Sequence, residues 1–566
     1  MASFHGYRTT RGFQLPPDSQ DEFSRPRGRL RRPTTRNRPS GRIVDDDRTM
    51  TGLTSPANKT PTRLLRSCVL LIVGLLCNAS AADLAADLGN TVRKGRPASA
   101  TLGISIRDLA TGHEIYRLDP DRPLIPASNM KVVTTGAALA SLGPDFRFRT
   151  AMRIVDRPGG TRDLKLIGDG DPAFADPDLL SLVTWTRADG SVQQGLDAAA
   201  FLDAWADAVR DAGLQRVEAV VTDDRIFDRI AFHPAWPKDQ FAETYCAEVH
   251  GLNFHHNVLR IWPAPRPGGP AAVARMSPEL TFLPLENRST SNRAANAKHT
   301  FWIGRRPDSN ALTLNGNVQV APKDPVPITV RDMPSLLAEL LARRLRANGV
   351  EVGRSRLADS EDPRGSGRPI GPPVETPLAT VLLRCNTDSD NLASECLLKR
   401  IVFHETGQPG SWEAGSVVIP QVLARRIREP EALRGLVVSD GSGLSRLNRV
   451  TASLMTRWIA ALDADAEIGP PFRESLAVGG ETGTVRNRFK SLDRLNAKVL
   501  CKTGYIRGVS CLSGIVVGPG GRRVAFSVLG NDLTAENAIG RMKELQERVV
   551  LEIAEELARP QAALGG

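Results

Sequence analysis

Apolar alternation at the two ends of the chain constrains its fold more than any other feature. Near the beginning, ASATLGISIRDLATGHEIYRLD (98–119) alternates like two strands around a turn at Thr111–Gly112. Near the end, AKVLCKTGYIRGVSCLSGIVV (497–517), the turn Gly518–Pro519–Gly520–Gly521 and RRVAFSVLGND (522–532) read as consecutive antiparallel strands. A short helix is expected at 83–95, a second from Met130 to Leu142 with Gly143 as its stop, and a long amphipathic one from about Ala535 to Leu557. Helices and strands at both ends imply one sheet-and-helix domain built from the two chain termini, with something large inserted between them. That insert, roughly Met152 to Ile370, is rich in short strands and Pro/Gly turns, and SEDPRGSGRPIGPP (360–373) near its end reads as a linker. At 566 residues, 41% hydrophobic and 24% charged, the composition is that of a soluble globular protein of two or three domains.

The formal charge of +11 invites a nucleic-acid reading, but its location excludes one. Residues 1–81 hold 14 basic and six acidic side chains, a surplus of eight, which leaves 60 against 57 in the rest. The folded part is nearly neutral, so no basic face is implied. Met1–Arg48 is rich in Arg, Pro, Ser and Thr without apolar periodicity, and is expected to be disordered or to lie upstream of the true start. RLLRSCVLLIVGLLCNASAADLA (63–85) then supplies Arg63 and Arg66, an apolar run from Cys68 to Cys77, and Ala79–Ser80–Ala81 as a small-x-small cleavage site. Residues 50–81 therefore read as a signal-peptide region, with Met50 as the start that gives a conventional n-region. The apolar run is about half the ~20 residues needed to span a bilayer. Export to the periplasm or cell envelope with cleavage near Ala81 is expected.

Five cysteines lie beyond the signal: Cys246, Cys385, Cys396, Cys501 and Cys511. An odd number leaves at least one unpaired within the chain. Cys501 and Cys511 would face each other across a hairpin centred near Ile506, making a disulfide one reading; small buried residues are the other. No metal-ligand spacing appears among the cysteines and the scattered histidines, so neither a metal nor an organic cofactor is expected.

The 74 basic residues include only 12 lysines, so lysine is used sparingly. A guanidinium cannot give up its proton in a protein, whereas a buried ammonium can, which suits lysine to general-base work. Ser128 and Lys131 form the chain's one S-x-x-K pair, and the i, i+3 spacing places both on one face at the start of a helix. Ser389–Asp390–Asn391 is the one S-x-N, expected just before a helix, and Lys502–Thr503–Gly504 the one K-T-G, expected on a strand. Each tripeptide alone is weak; all three, in this order and in these settings, carry a mechanism.

The set resembles that of the serine penicillin-recognising enzymes, the DD-peptidases and serine β-lactamases. Ser128 and Ser389 are 261 residues apart, and that gap resembles one branch: the D-Ala-D-Ala carboxypeptidase/endopeptidases of the penicillin-binding protein 4 type, which carry a large insert there. LIGDGDP (166–172), SDGSGLSRLNRVT (439–451) and GGETGTVRNRF (479–489) support the match, which covers about Ala82 to the C-terminus. The resemblance implies an α+β multidomain fold: a DD-peptidase/β-lactamase-like domain, an antiparallel sheet flanked by helices, formed from 82–151 and 371–566. It is split by 152–370, one or two β-rich subdomains, and preceded by the 1–49 extension and the 50–81 signal region.

The resemblance also implies the chemistry. Lys131, desolvated and held near Lys502, would take the proton of Ser128, which attacks the penultimate D-Ala carbonyl to form an acyl-enzyme. Backbone N–H groups of Ser128 and Tyr505 would hold the oxyanion. Ser389 would relay a proton to the leaving D-Ala, Asn391 hold the substrate backbone, and Lys502 and Thr503 bind the terminal carboxylate, while Gly504 lets substrate lie against the strand. Tyr505 stands where many relatives have threonine. Peptidoglycan stem peptides are the expected partners and β-lactam antibiotics the acylating inhibitors, with no nucleic acid; peripheral association with membrane or wall is left open. Asp169 and Asp171 of GDGDP are either turn residues or substrate contacts. Taken singly, Ser128 reads first as a helix cap, and Ser389 with Asp390 likewise as a cap; their joint occurrence with the other motifs favours the catalytic set. The rival functions are a serine β-lactamase, differing in a deacylating base, and a non-catalytic wall-binding scaffold, which gives no reason to keep a lysine base.

Overall fold

The strand Thr101–Asp108, which carries the first alternation, pairs with Glu114–Leu118 on one side and with Arg523–Asn531 on the other in the computed structural model of the chain. The structure describes residues 83–186, 192–427 and 429–559; the readings of the extension and signal at 1–81 fall outside them. Thr101 stands opposite Asn531 and Asp108 opposite Val524, so the two ends of the chain close one sheet. Its order is Ala477–Val478, Lys498–Ile506, Val509–Val517, Arg523–Asn531, Thr101–Asp108, Glu114–Leu118, antiparallel throughout.

Period-two patterning sorts the side chains of this sheet onto two faces. Leu512, Val516, Val524, Phe526 and Val528 pack with Leu88 of the 83–95 helix and with Leu545, Val549 and Ile553 of the Ala538–Ala558 helix. Their neighbours Val509, Cys511, Ile515, Ala525 and Leu529 face the opposite way, onto a layer built from the internal helices Met130–Leu142, Asn391–Thr406 and Ala452–Asp463. Each such buried aliphatic contributes about 1.5–3 kcal/mol, so a sheet covered on both faces is firmly held. Within the internal layer the helices approach closely at Gly136: a Cβ there would meet Leu462 Cδ1 at 2.5 Å, and Trp458 Nε1 donates to the Val132 carbonyl at 3.2 Å.

A second core surrounds a five-stranded sheet of order Glu351–Leu357, Arg216–Asp223, Arg162–Ile167, Arg147–Asp156, Arg368–Pro377. Its first two pairings are parallel and its last two antiparallel. Parallel neighbours need a crossover, and the helix Ala198–Asp211 lies between Arg162–Ile167 and Arg216–Asp223 in the chain, as Met333–Ala347 precedes Glu351–Leu357. These two helices were not anticipated by a reading weighted toward strands and turns. The chain leaves on Arg147–Asp156 and returns on Arg368–Pro377; Arg147 stands opposite Pro377, so both crossings between the cores lie side by side.

The five cysteines are free and buried. Cys501 stands opposite Gly514 and Cys511 opposite Gly504, so the disulfide across the hairpin is ruled out by register. The turn falls at Arg507–Gly508, with Gly508 at φ 77, rather than at Ile506, and that shift moves the two thiols out of opposition.

Candidate active site

The turn carrying Ser128 is fastened to the central sheet before any chemistry is considered. The side-chain amide of Asn531 pairs with the backbone of Ile125, accepting its N–H at 2.9 Å and donating to its carbonyl at 3.0 Å. Asn129, fully buried, donates from its amide nitrogen to the Lys502 carbonyl at 2.7 Å and accepts the Leu512 N–H at 3.0 Å. Residues Ala127–Asn129 form a 3-10 turn that runs directly into the Met130–Leu142 helix, and no side chain caps either, so Ser128 is not a cap. Opposite the turn lies Gly504. A Cβ on it would stand 2.5 Å from the Pro126 carbonyl oxygen, 3.0 Å from Asn129 N and 3.2 Å from Ser128 N. Glycine is what lets the K-T-G strand and the serine turn touch.

Lys131 is fully buried in the first turn of the helix. Its Nζ lies 2.7 Å from Asn391 Oδ1, 2.9 Å from the Ser442 carbonyl oxygen and 3.2 Å from Ser128 Oγ. Burial lowers its pKa against the opposing pull of nearby acidic groups, which favours the neutral amine. A neutral amine has two hydrogens and one lone pair. Asn391 Oδ1 and the Ser442 carbonyl can only accept, so they take the two hydrogens, and the lone pair is left for the hydroxyl of Ser128. The site thus has the geometry of a base beside its hydroxyl.

A second lysine–serine pair faces the first. Lys502 Nζ donates to Ser389 Oγ at 2.9 Å and to the Thr503 carbonyl at 3.0 Å. Burial, and then the neighbouring Lys131, hold its pKa well below the ordinary lysine value. Ser389 sits in the left-handed region at φ 64, and it is Asp390, not Ser389, that caps the Asn391–Thr406 helix, by accepting the Ala393 N–H at 2.7 Å. Asn391 completes the bridge: Oδ1 accepts from Lys131 while Nδ2 donates to the Tyr245 carbonyl at 2.9 Å. Thr503 Oγ1 lies 2.8 Å from the hydroxyl of Thr484, which belongs to the GGETGTVRNRF stretch. Tyr505 is 60% exposed, with Lys543 Nζ 5.9 Å from its ring centroid.

The SDGSGLSRLNRVT stretch supplies the support beneath Lys131. Glu395, fully buried, accepts the N–H groups of Gly441 and Ser442 at 2.8 Å each and Trp412 Nε1 at 2.8 Å. Asp440 accepts from Gly443 N at 2.8 Å, Ser445 N at 2.6 Å and Trp236 Nε1 at 2.8 Å. These bonds turn the Ser442 carbonyl toward Lys131. Gly443, at φ 84, closes against the serine turn so tightly that a Cβ would reach 1.8 Å from the Ala127 carbonyl oxygen. Burial pushes the Glu395 carboxyl up to about 7.

The three motifs therefore converge through Lys131 and Lys502, while the aspartates of GDGDP do not join them. Asp169 accepts the Arg149 N–H at 3.1 Å and pairs with Arg400 at 3.2 Å; Asp171 accepts from Ala173 N at 2.9 Å and Thr376 Oγ1 at 2.6 Å. Asp169 thereby ties the second core to the Asn391–Thr406 helix, while Asp171 spends its oxygens within the second core. Sequence reasoning passed over Asn129, Tyr245 and Thr484. Tyr245 and Ser442 act through backbone carbonyls, which carry no residue-type signal. Among the described residues no group of three or more His, Cys, Asp or Glu side chains is arranged to hold a metal ion.

Comparison with known proteins agrees with this geometry. The chain is 31% identical over 484 residues to the D-alanyl-D-alanine carboxypeptidase of Actinomadura sp. (strain R39), covering 81% of this chain and 83% of that one. It is 26% identical over 432 residues to the carboxypeptidase DacB of Mycolicibacterium smegmatis, covering 75% of each. Among solved structures, penicillin binding protein 4 (dacB) of Haemophilus influenzae superposes with a TM-score of 0.63 at 19% identity, over 82% of this chain and 99% of that one, which establishes a shared fold. The family model described as D-Ala-D-Ala carboxypeptidase 3 (S13) matches residues 84–550. With that span and the carboxypeptidase relative at 31% identity, the chain belongs to the D-Ala-D-Ala carboxypeptidase 3 (S13) family.

Proposed function

We propose that the chain is an exported serine DD-peptidase that cuts peptidoglycan stem peptides through an acyl-enzyme on Ser128, at D-Ala-D-Ala, at the D-Ala-diaminopimelate cross-link, or at both. The observation that carries the reading is the placement of the fully buried Lys131 Nζ 3.2 Å from Ser128 Oγ, with Asn391 Oδ1 and the Ser442 carbonyl as its other partners; in the neutral form that burial favours, those two acceptors take its hydrogens and its lone pair faces Ser128 Oγ. Ser128 Oγ attacks the carbonyl carbon of the penultimate D-Ala as Lys131 Nζ takes its proton. The resulting oxyanion accepts from the backbone N–H groups of Ser128 and Tyr505, each worth ~3 kcal/mol of barrier. Ser389, fed by Lys502 at 2.9 Å, passes a proton to the leaving nitrogen; the C–N bond breaks and the Ser128 ester forms. Water then hydrolyses that ester and frees Ser128.

Lys502 and Thr503 receive the terminal carboxylate, Asn391 holds the peptide backbone, and Gly504 keeps the strand flat enough for substrate to lie along it. The 152–370 insert supplies Tyr245 beside Asn391 and acts as a selective wall of the cleft. A β-lactam carbonyl meets the same nucleophile, so such antibiotics acylate Ser128. Glu395, Asp440 and Asp390, the carboxylates that act electrostatically on Lys131, are each committed to backbone N–H groups, which favours slow deacylation and a peptidase over a β-lactamase. Export and any peripheral wall or membrane association follow from the 50–81 reading and are tested by fractionation. The function itself is tested by D-Ala release from an N-acylated tripeptide ending in D-Ala-D-Ala. Release that disappears in Ser128→Ala is expected; no release by the unaltered chain would contradict the reading.

A further inference from the structure

The residue between Ser389 and Asn391 connects the two cores by charge. While Asp390 Oδ1 caps its helix, Oδ2 lies 3.3 Å from Nδ1 of His256, and Nε2 of the same ring lies 2.9 Å from Oδ2 of Asp176, which has no exposed surface. Asp176 in turn pairs with Arg384 Nη2 at 2.6 Å, and Arg384 Nη1 reaches Asp388 at 3.1 Å. Asp178 stands at the outer edge of the row, 3.6 Å from Arg384 and 3.3 Å from Arg260. Charges of opposite sign alternate along it. The neighbouring His255 turns elsewhere, to the Val258 carbonyl at 2.9 Å and Ser277 Oγ at 3.1 Å, and burial holds its pKa down to about 4.

A neutral imidazole offers one N–H and one acceptor nitrogen. Each nitrogen of His256 lies within ion-pair distance of a carboxylate, although Nε2 makes no well-aligned hydrogen bond, so the doubly protonated ring is the form whose charge answers both Asp176 and Asp390. Burial opposes that charge, but Asp176 and Asp390 outweigh it and raise the pKa to about 10. The ring is presented by three successive left-handed residues, His255, His256 and Asn257, at φ 54, 59 and 56. Asn257 secures that turn by donating to the Glu248 carbonyl at 2.8 Å and to Asn253 Oδ1 at 2.7 Å.

We propose that His256 is a positioning residue for the peptidase reaction: as an imidazolium clamped between Asp176 and Asp390, it fixes the Ser389–Asn391 turn against Lys502 and Lys131. This rests on the peptidase reading above. Ser389 holds an unfavourable backbone conformation, which persists where the surroundings over-determine it. Asp390 supplies that constraint from one side of the turn, and His256 holds Asp390. Without the cation, Asp176 and Asp390 become two carboxylates with nothing between them, Asp390 swings away, and Ser389 Oγ leaves Lys502.

Three measurements test it. Nitrogen-15 NMR of the unaltered chain at pH 7.5 should show His256, assigned by its disappearance in His256→Gln, as a doubly protonated ring. His256→Gln should lower the rate of acylation by benzylpenicillin and kcat for D-Ala release by at least about tenfold, with KM changed by less than about threefold. Asp176→Asn keeps the ring but withdraws one counter-charge, so its acylation rate should fall as pH rises through the neutral range, about 6.5 to 8, a step absent from the unaltered chain. A histidine that titrates as an ordinary imidazole overturns the proposal, and so does acylation of both variants at the unaltered rate without a new pH step. If the unaltered chain takes up no penicillin, the peptidase reading itself falls and this proposal with it; normal acylation beside an unaffected His256→Gln sinks the proposal alone.

Discussion

Replacing Gly504 by alanine tests whether the K-T-G strand and the serine turn are in the contact described. A new Cβ would stand 2.5 Å from the Pro126 carbonyl oxygen, where contacts under 3.0 Å are essentially never made, so at least 0.5 Å must open between strand and turn. The turn cannot yield freely, because Asn531 pins Ile125 and Asn129 ties the same turn to Lys502 and Leu512. The displacement therefore passes into the position of Ser128 relative to Lys131 and the oxyanion donors. A misplacement of about 1 Å costs roughly a hundredfold in rate, so Gly504→Ala should slow acylation by about ten- to a hundredfold. Overpacking of this kind costs about 1–3 kcal/mol of stability, enough to register in a thermal melt without unfolding the chain. The assay is the second-order rate constant for benzylpenicillin, followed by intact mass. Gly89→Ala is the control, since its Cβ meets nothing closer than 3.7 Å. Acylation of Gly504→Ala at the unaltered rate would refute the reasoning.

Two further changes bear on the charge states. Lys131→Arg puts a permanent cation where the neutral amine stood and cannot take the serine's proton, so acylation by benzylpenicillin should fall by about 10²–10⁴; a rate within tenfold of the unaltered chain would remove Lys131 as the base. Asp171 is buried, and burial raises its pKa from 3.8 to about 7. Because the folded value is the higher, its contribution to stability is complete below about 3.8 and is lost as pH rises through about 7. Asp171→Asn, permanently neutral, should gain on the unaltered chain across that window in denaturant titrations, by up to about 1.4 kcal/mol per pH unit. Parallel stability curves for the two would contradict the buried-carboxyl account.

What could be read from the sequence followed from features local in the chain. The alternation at 98–119 and 497–532 announced strands, and Gly143 ended the Met130–Leu142 helix where a glycine stop was expected. The α+β fold with an antiparallel sheet and flanking helices was legible for that reason. The three motifs stood out because each is unique in the chain, and residue type carries their chemistry. The Ser442 carbonyl was not legible as a partner of Lys131, because every residue has a carbonyl and only the bonds from Glu395 and Asp440 aim this one. His256 and Asp390 are 134 positions apart, and nothing in either neighbourhood reports the other. The two parallel pairings of the second sheet depend on crossovers through Ala198–Asp211 and Met333–Ala347, whose helical periodicity was outweighed by surrounding Pro/Gly turns. The hairpin register slipped by the same local ambiguity: Gly508 sets the turn, and a centre one or two residues earlier predicts a different cysteine pairing.

The central claim is that Ser128, activated by Lys131, is the nucleophile. It is tested most directly by the intact mass of Ala82–Gly566 over time after addition of benzylpenicillin, beside Ser128→Ala. A lasting adduct of one penicillin on the unaltered chain and none on Ser128→Ala is predicted. An adduct that persists in Ser128→Ala, or penicillin left untouched by the unaltered chain, would contradict it.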